Sequence, residues 1–122
     1  MAEKLIFVYN ANSGKANALF DVYHKIASPK TYQCNLCKLT HGVFTERKIW
    51  SRFKKNLDVD MQFLHADEFK KEYKSKFGYK FNFPIVLIKE NADLQIFISD
   101  KELNELKTLG ELMQLVKERL VV

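Results

Sequence analysis

Cys34 and Cys37 are the only two thiols of this 122-residue chain, and they stand three positions apart. A Cys-x-x-Cys spacing lets two sulfurs bond to each other, or hold two corners of a tetrahedral metal site. Redox work needs one thiol that is partly ionised and reachable, which a nearby cation or helix N-terminus provides. Lys30 and Lys38 flank the pair, and His41 follows Cys37 by four residues. Asn35-Leu36, between the cysteines, adds no charge. This reading makes Cys34 and Cys37 the catalytic residues of a thiol–disulfide or thiol-sensing protein that needs no cofactor. Zinc is the alternative. It asks for four Cys or His ligands, and Cys34, Cys37, His24 and either His65 or His41 would supply them, at spacings that match no known finger. A third reading is an adaptor with inert cysteines, since cysteine is also a small, frequently buried hydrophobe.

Other clusters carry less. Asp67-Glu68 at a helix start fits capping and compensation of the helix dipole. Trp50 and Phe53 read as core. The run from Phe77 to Phe83, Phe-Gly-Tyr-Lys-Phe-Asn-Phe, is harder to bury whole. An exposed aromatic patch there would serve a partner or a dimer contact.

Composition sets the frame. The length is that of one domain, with 47% hydrophobic and 29% charged residues, as in soluble globular proteins. Two cysteines are too few for a disulfide-built scaffold. No apolar run nears the ~20 residues that span a bilayer, so no membrane partner is expected. The start, Met1-Ala2-Glu3-Lys4, runs directly into Leu5-Ile6-Phe7-Val8-Tyr9, too short for a signal sequence. The expectation is a cytoplasmic, reducing location. There a Cys-x-x-Cys is more often redox-active or metal-bound than a static crosslink. The net charge of +5 concentrates in residues 47–55 and 70–80. With no nucleic-acid motif beside them, these stripes read as solvated helix faces, and nucleic acid is disfavoured as a partner. The partner expected is a protein or a thiol compound.

The elements that must position the pair follow from periodicity. Leu5 to Tyr9 reads as a central strand buried on both faces. Residues 15–27 have helical spacing through Leu19, Phe20, Val22, Tyr23 and Ile26, and Ser28-Pro29 stops them. Residues 30–44 form the cysteine-bearing loop, long enough to be functional or to carry short structure of its own. A second helix follows, with Thr45 as its cap and Ile49, Trp50, Phe53 and Leu57 inward. Asp60 to His65 is a strand, and Asp67 caps a third helix that Gly78 ends. Pro84 opens the strand 84–88, where a missing donor does least harm. A turn at 90–93 returns the chain through Leu94 to Ile98, an edge strand. Asp100 caps a short helix. Thr108 and Glu111 form a capping box for the last one.

The order βα, cysteine loop, α, β, α, β, β, α resembles the thioredoxin-like superfamily across nearly the whole chain. The resemblance implies a single three-layer α/β domain over 1–122, with a four-stranded mixed sheet and flanking helices. It also implies a structural role for Pro84, with a cis Phe83–Pro84 bond. Thioredoxin-like directionality would make Cys34 the attacking thiol and Cys37 the resolving one. Thioredoxins, however, carry their cysteines in the turn after the first strand, here Asn10 to Lys15, whereas Cys34 and Cys37 lie in an insertion after the first helix.

The chain also resembles a group of small bacterial proteins of uncharacterised function, some of which bear the label GTPase. The shared residues are His24-Lys25-Ile26, Ser28-Pro29, Cys34, Cys37, Leu39-Thr40, His65, Asp67, Glu68 and Phe69. The residues argue against a GTPase. A phosphate loop needs a glycine five residues before Gly14-Lys15 and a hydroxyl after the lysine. Tyr9 and Ala16 occupy those places, and no Asn-Lys-x-Asp segment is present.

Overall fold

The structure, a computed structural model, describes residues 4–10, 34–41, 46–73, 81–91 and 93–120. The expected first helix over 15–27, with His24, and the stop at Ser28-Pro29 lie outside these residues. So do Thr45 and Gly78.

Strand β1 (Lys4–Tyr9) is central. It pairs in parallel with β2 (Asp60–His65), register Lys4 to Asp60 and Tyr9 to His65, and antiparallel with β3 (Ile85–Glu90). A hairpin then carries the chain into β4 (Asp93–Ile98), and the sheet order is β2-β1-β3-β4. Asn91 in that turn has φ 57, a left-handed conformation that asparagine tolerates better than most residues. β4 forms one edge with Gln95 exposed, as its polarity foretold. The Phe83–Pro84 bond is cis, as expected at that position.

Alternation in β1 builds two cores. Leu5 and Phe7 point to one face and Ile6 and Val8 to the other, all four fully buried, because a central strand has no solvent side. The second face packs Phe69 of α3 (Ala66–Tyr73), with Phe81 and Phe83 half-buried against its ring. Part of the expected aromatic patch is therefore core lining. The first face carries α1 (Asn35–Thr40), α2 (Lys48–Asn56), α4 (Asp100–Glu105) and α5 (Leu109–Leu120). In α2, Trp50 is fully buried, and Arg47, Lys48, Arg52 and Lys55 face solvent. Ile49, expected inward, is 60% exposed. One residue is a 100° step on a helix, and the buried stripe follows Trp50 and Phe53 instead.

Two caps differ from expectation, and in both the glutamate at the third helical position reaches back to the backbone N–H ahead of the helix. Ser99, not Asp100, caps α4: its hydroxyl accepts from Glu102 N–H at 3.2 Å, and Glu102 accepts from Ser99 N–H at 3.0 Å. Glu68, not Asp67, takes the His65 N–H at the start of α3, at 2.7 Å. The Thr108–Glu111 box forms as expected.

Glu102 does double duty. Arg119 of α5 forks onto its carboxylate and also donates to the Phe97 carbonyl at 2.6 Å, tying α4, α5 and β4 together. The Arg119 hydrogen bonds and the Ser99 N–H hold the Glu102 carboxyl down to about 2. A depressed carboxylate contributes stability above its unfolded value and loses it as pH falls through the folded one. Stability should therefore drop between about pH 4.5 and pH 2 in the native chain, and less in Glu102→Gln. Both side chains are more than a third exposed, so solvent screening limits the effect to about 1 kcal/mol. Urea midpoints at pH 7, 4.5 and 2.5 check it.

Candidate functional site

Within the expected cysteine-bearing loop the chain forms a short helix, α1. Leu36, Leu39 and Thr40 are buried at i, i+3 and i+4, with Cys37 beside them and Lys38 turned outward. Cys34 occupies the N-cap, and its Sγ accepts from the Cys37 N–H at 3.3 Å. The two sulfurs are joined as a disulfide, S–S 2.04 Å. Cys34 is 1% exposed and Cys37 8%, so the pair sits in the wall of the first core.

Asn35, silent in the sequence, is the anchor of this helix. Its Nδ2 donates to the carbonyls of Leu103 and Leu106, at 2.5 and 2.9 Å. Those carbonyls lie at the C-terminal end of α4, where helix carbonyls run out of i+4 partners; Leu103 O also takes the Leu106 N–H at 3.3 Å. The residue between the cysteines thus caps another helix, about seventy positions away. Leu36, fully buried, pins the same turn into the core. No local signal could reveal this, since only the fold brings the end of α4 to Asn35.

Beyond Cys37 the helix ends on a polar cluster at the C-terminal end of β1 and β2. The Thr40 hydroxyl donates to the Leu36 carbonyl at 2.8 Å, which uses its single hydrogen. It can only accept from His41 Nδ1, also at 2.8 Å, so that nitrogen carries a proton. The His41 ring stands edge-on to Tyr9 at 5.8 Å, and His65 lies 6.0 Å from Tyr9 on the other strand. Burial pushes the Tyr9 phenol up, and Glu46 pushes it further, so it stays a neutral hydroxyl. His65 Nδ1 donates to Glu68 at 2.8 Å. The His65 backbone N–H first, and then its ring, hold the Glu68 carboxyl below the usual range. The backbone of His41 pairs with that of Glu46 in an isolated antiparallel bridge, just ahead of α2.

Of the residues expected to form a site, the structure joins Cys34 to Cys37 and gathers His41 and His65 around Tyr9. His65 is engaged by Glu68, and His24 lies outside the described residues. Sulfurs bonded to each other offer no thiolate to a metal. Among the described residues no group of three or more His, Cys, Asp or Glu is placed to hold one. Among them, too, no helix is long and apolar enough to cross a membrane. What the arrangement offers chemically is a disulfide that can open to a dithiol beside a hydrogen-bonding backbone.

Comparison of the chain with protein-family models, curated proteins and solved structures finds no match.

Proposed function

We propose that this chain is a small cytoplasmic thiol–disulfide protein of thioredoxin-like fold, whose Cys34–Cys37 pair cycles between disulfide and dithiol in exchange with a protein or thiol partner. One observation carries this reading: the two cysteines are bonded to each other across a helix start whose N–H already points at one of the sulfurs. On opening, that N–H favours the thiolate form of Cys34, and a favoured thiolate makes a pair exchange readily. The parallel β1–β2 pair, the β3–β4 hairpin and the closing helix α5 support the thioredoxin-like reading.

Burial supplies a rival. A pair with 1% and 8% exposure could be a static crosslink of the core. Equilibration of the protein in thiol–disulfide buffers, with alkylation of free thiols and mass analysis, separates the two. A redox-active pair titrates as a single two-electron couple at roughly −200 to −300 mV, the range of working cytosolic dithiols. A pair that stays bonded well below −300 mV, or free thiols that no alkylating probe reaches in the folded protein, would remove the redox reading.

A further inference from the structure

Resting on that reading, we propose that exchange enters at Cys37, and that Cys34 is the leaving and resolving sulfur. This reverses the order that thioredoxin-like directionality implies. Access points to it first. As whole residues, Cys34 is 1% exposed in the core wall, while Cys37 on the next turn keeps 8%. A disulfide is opened by a thiolate that reaches one of its sulfurs in line with the S–S bond, so the reachable sulfur is the one attacked.

The departing sulfur is also provided for. Cys34 Sγ already accepts the Cys37 N–H at 3.3 Å. Charge released there meets a donor in place, and a better-stabilised leaving thiolate leaves faster. The helix is held against turning Cys34 outward. Asn35, its neighbour, is fixed to the Leu103 and Leu106 carbonyls, and Leu36 is buried. Lys38 N–H also binds the Cys34 carbonyl at 3.1 Å.

The reductant is a dithiol. One of its sulfurs, as thiolate, attacks Cys37 Sγ. A bond forms between donor sulfur and Cys37, the Cys34–Cys37 bond breaks, and its electron pair stays on Cys34. The donor's second thiolate then attacks its own first sulfur and expels Cys37 as a thiolate. The donor ends as a disulfide, the chain as a dithiol, and the two protons lost by the donor are taken up by the cysteines or by water. In the reverse direction Cys34 attacks a mixed disulfide held on Cys37.

Two measurements on the full chain test this. In the reduced Cys34→Ala variant, Cys37 should form a mixed disulfide with oxidised glutathione at least about tenfold faster than Cys34 does in Cys37→Ala. The oxidised native protein, treated with a monothiol and quenched with an alkylating agent, should carry the thiol adduct on Cys37 and the alkyl group on Cys34. That second arm needs no variant to fold. An adduct mapped to Cys34, or a faster Cys34, overturns the order while leaving the redox reading standing. A native disulfide that neither a monothiol nor dithiothreitol opens overturns both.

Discussion

Trp50→Ala should lose about 3–5 kcal/mol of folding free energy, as large-to-small changes at buried aromatic sites do. That is a large share of the ~5–15 kcal/mol that holds a domain together. Trp50 is fully buried and has Phe7 edge-on at 5.6 Å, Phe53 stacked at 5.5 Å and Phe63 edge-on at 6.4 Å. It is thus where α2 is fastened to β1 and β2. Lys54 over Phe63 and Lys117 over Phe53 close the rim of this cluster. Trp50→Phe should behave differently. The indole Nε1 is buried with no hydrogen-bond partner among the described residues. Phenylalanine removes that unpaired donor, which offsets part of the lost volume and leaves a cost of about 1 kcal/mol. Urea unfolding followed by circular dichroism reads both variants. A Trp50→Phe loss of about 2–3 kcal/mol would show that the indole nitrogen is paired in solution.

The second large effect is on chemistry. A Cys34→Ala/Cys37→Ala chain should lose all thiol–disulfide exchange. Its stability should fall by about 2 kcal/mol relative to the oxidised protein, the size expected for a crosslink that closes so short a loop. Both side chains lie in an apolar wall, and the one polar contact that alanine removes there is the Cys37 N–H bond to Cys34 Sγ. Exchange is assayed with a model disulfide, and stability by denaturant midpoint under oxidising conditions. A variant that retains exchange would place the chemistry elsewhere. A stability loss of 4 kcal/mol or more would mark the cysteines chiefly as packing residues.

Much of the framework was legible because it follows from periodicity and local chemistry. The unbroken run Leu5 to Val8 announces a strand covered on both sides. The Thr108–Glu111 spacing announces a cap that needs only neighbours three apart. Ile49 was misplaced because a helix of nine residues admits two adjacent apolar stripes, and only packing against the sheet chooses Trp50 and Phe53 over Ile49. The caps of α3 and α4 each fall one residue from the expected acid, because several polar groups crowd each start and the winner is set by side-chain reach. The second cysteine-flanking reading, zinc, drew on His65, whose tie to Glu68 is visible only in three dimensions.

The cysteine pair divides the same way. Sequence alone determined that two sulfurs, three residues apart, can meet, since that spacing brings them within bonding reach whenever the chain turns helically. Which cysteine keeps the greater exposure, and what Asn35 does, were decided by tertiary structure. Those properties depend on α4 and α5 arriving from some seventy residues away to cover one side of the turn, and no local pattern encodes the far partner of a contact.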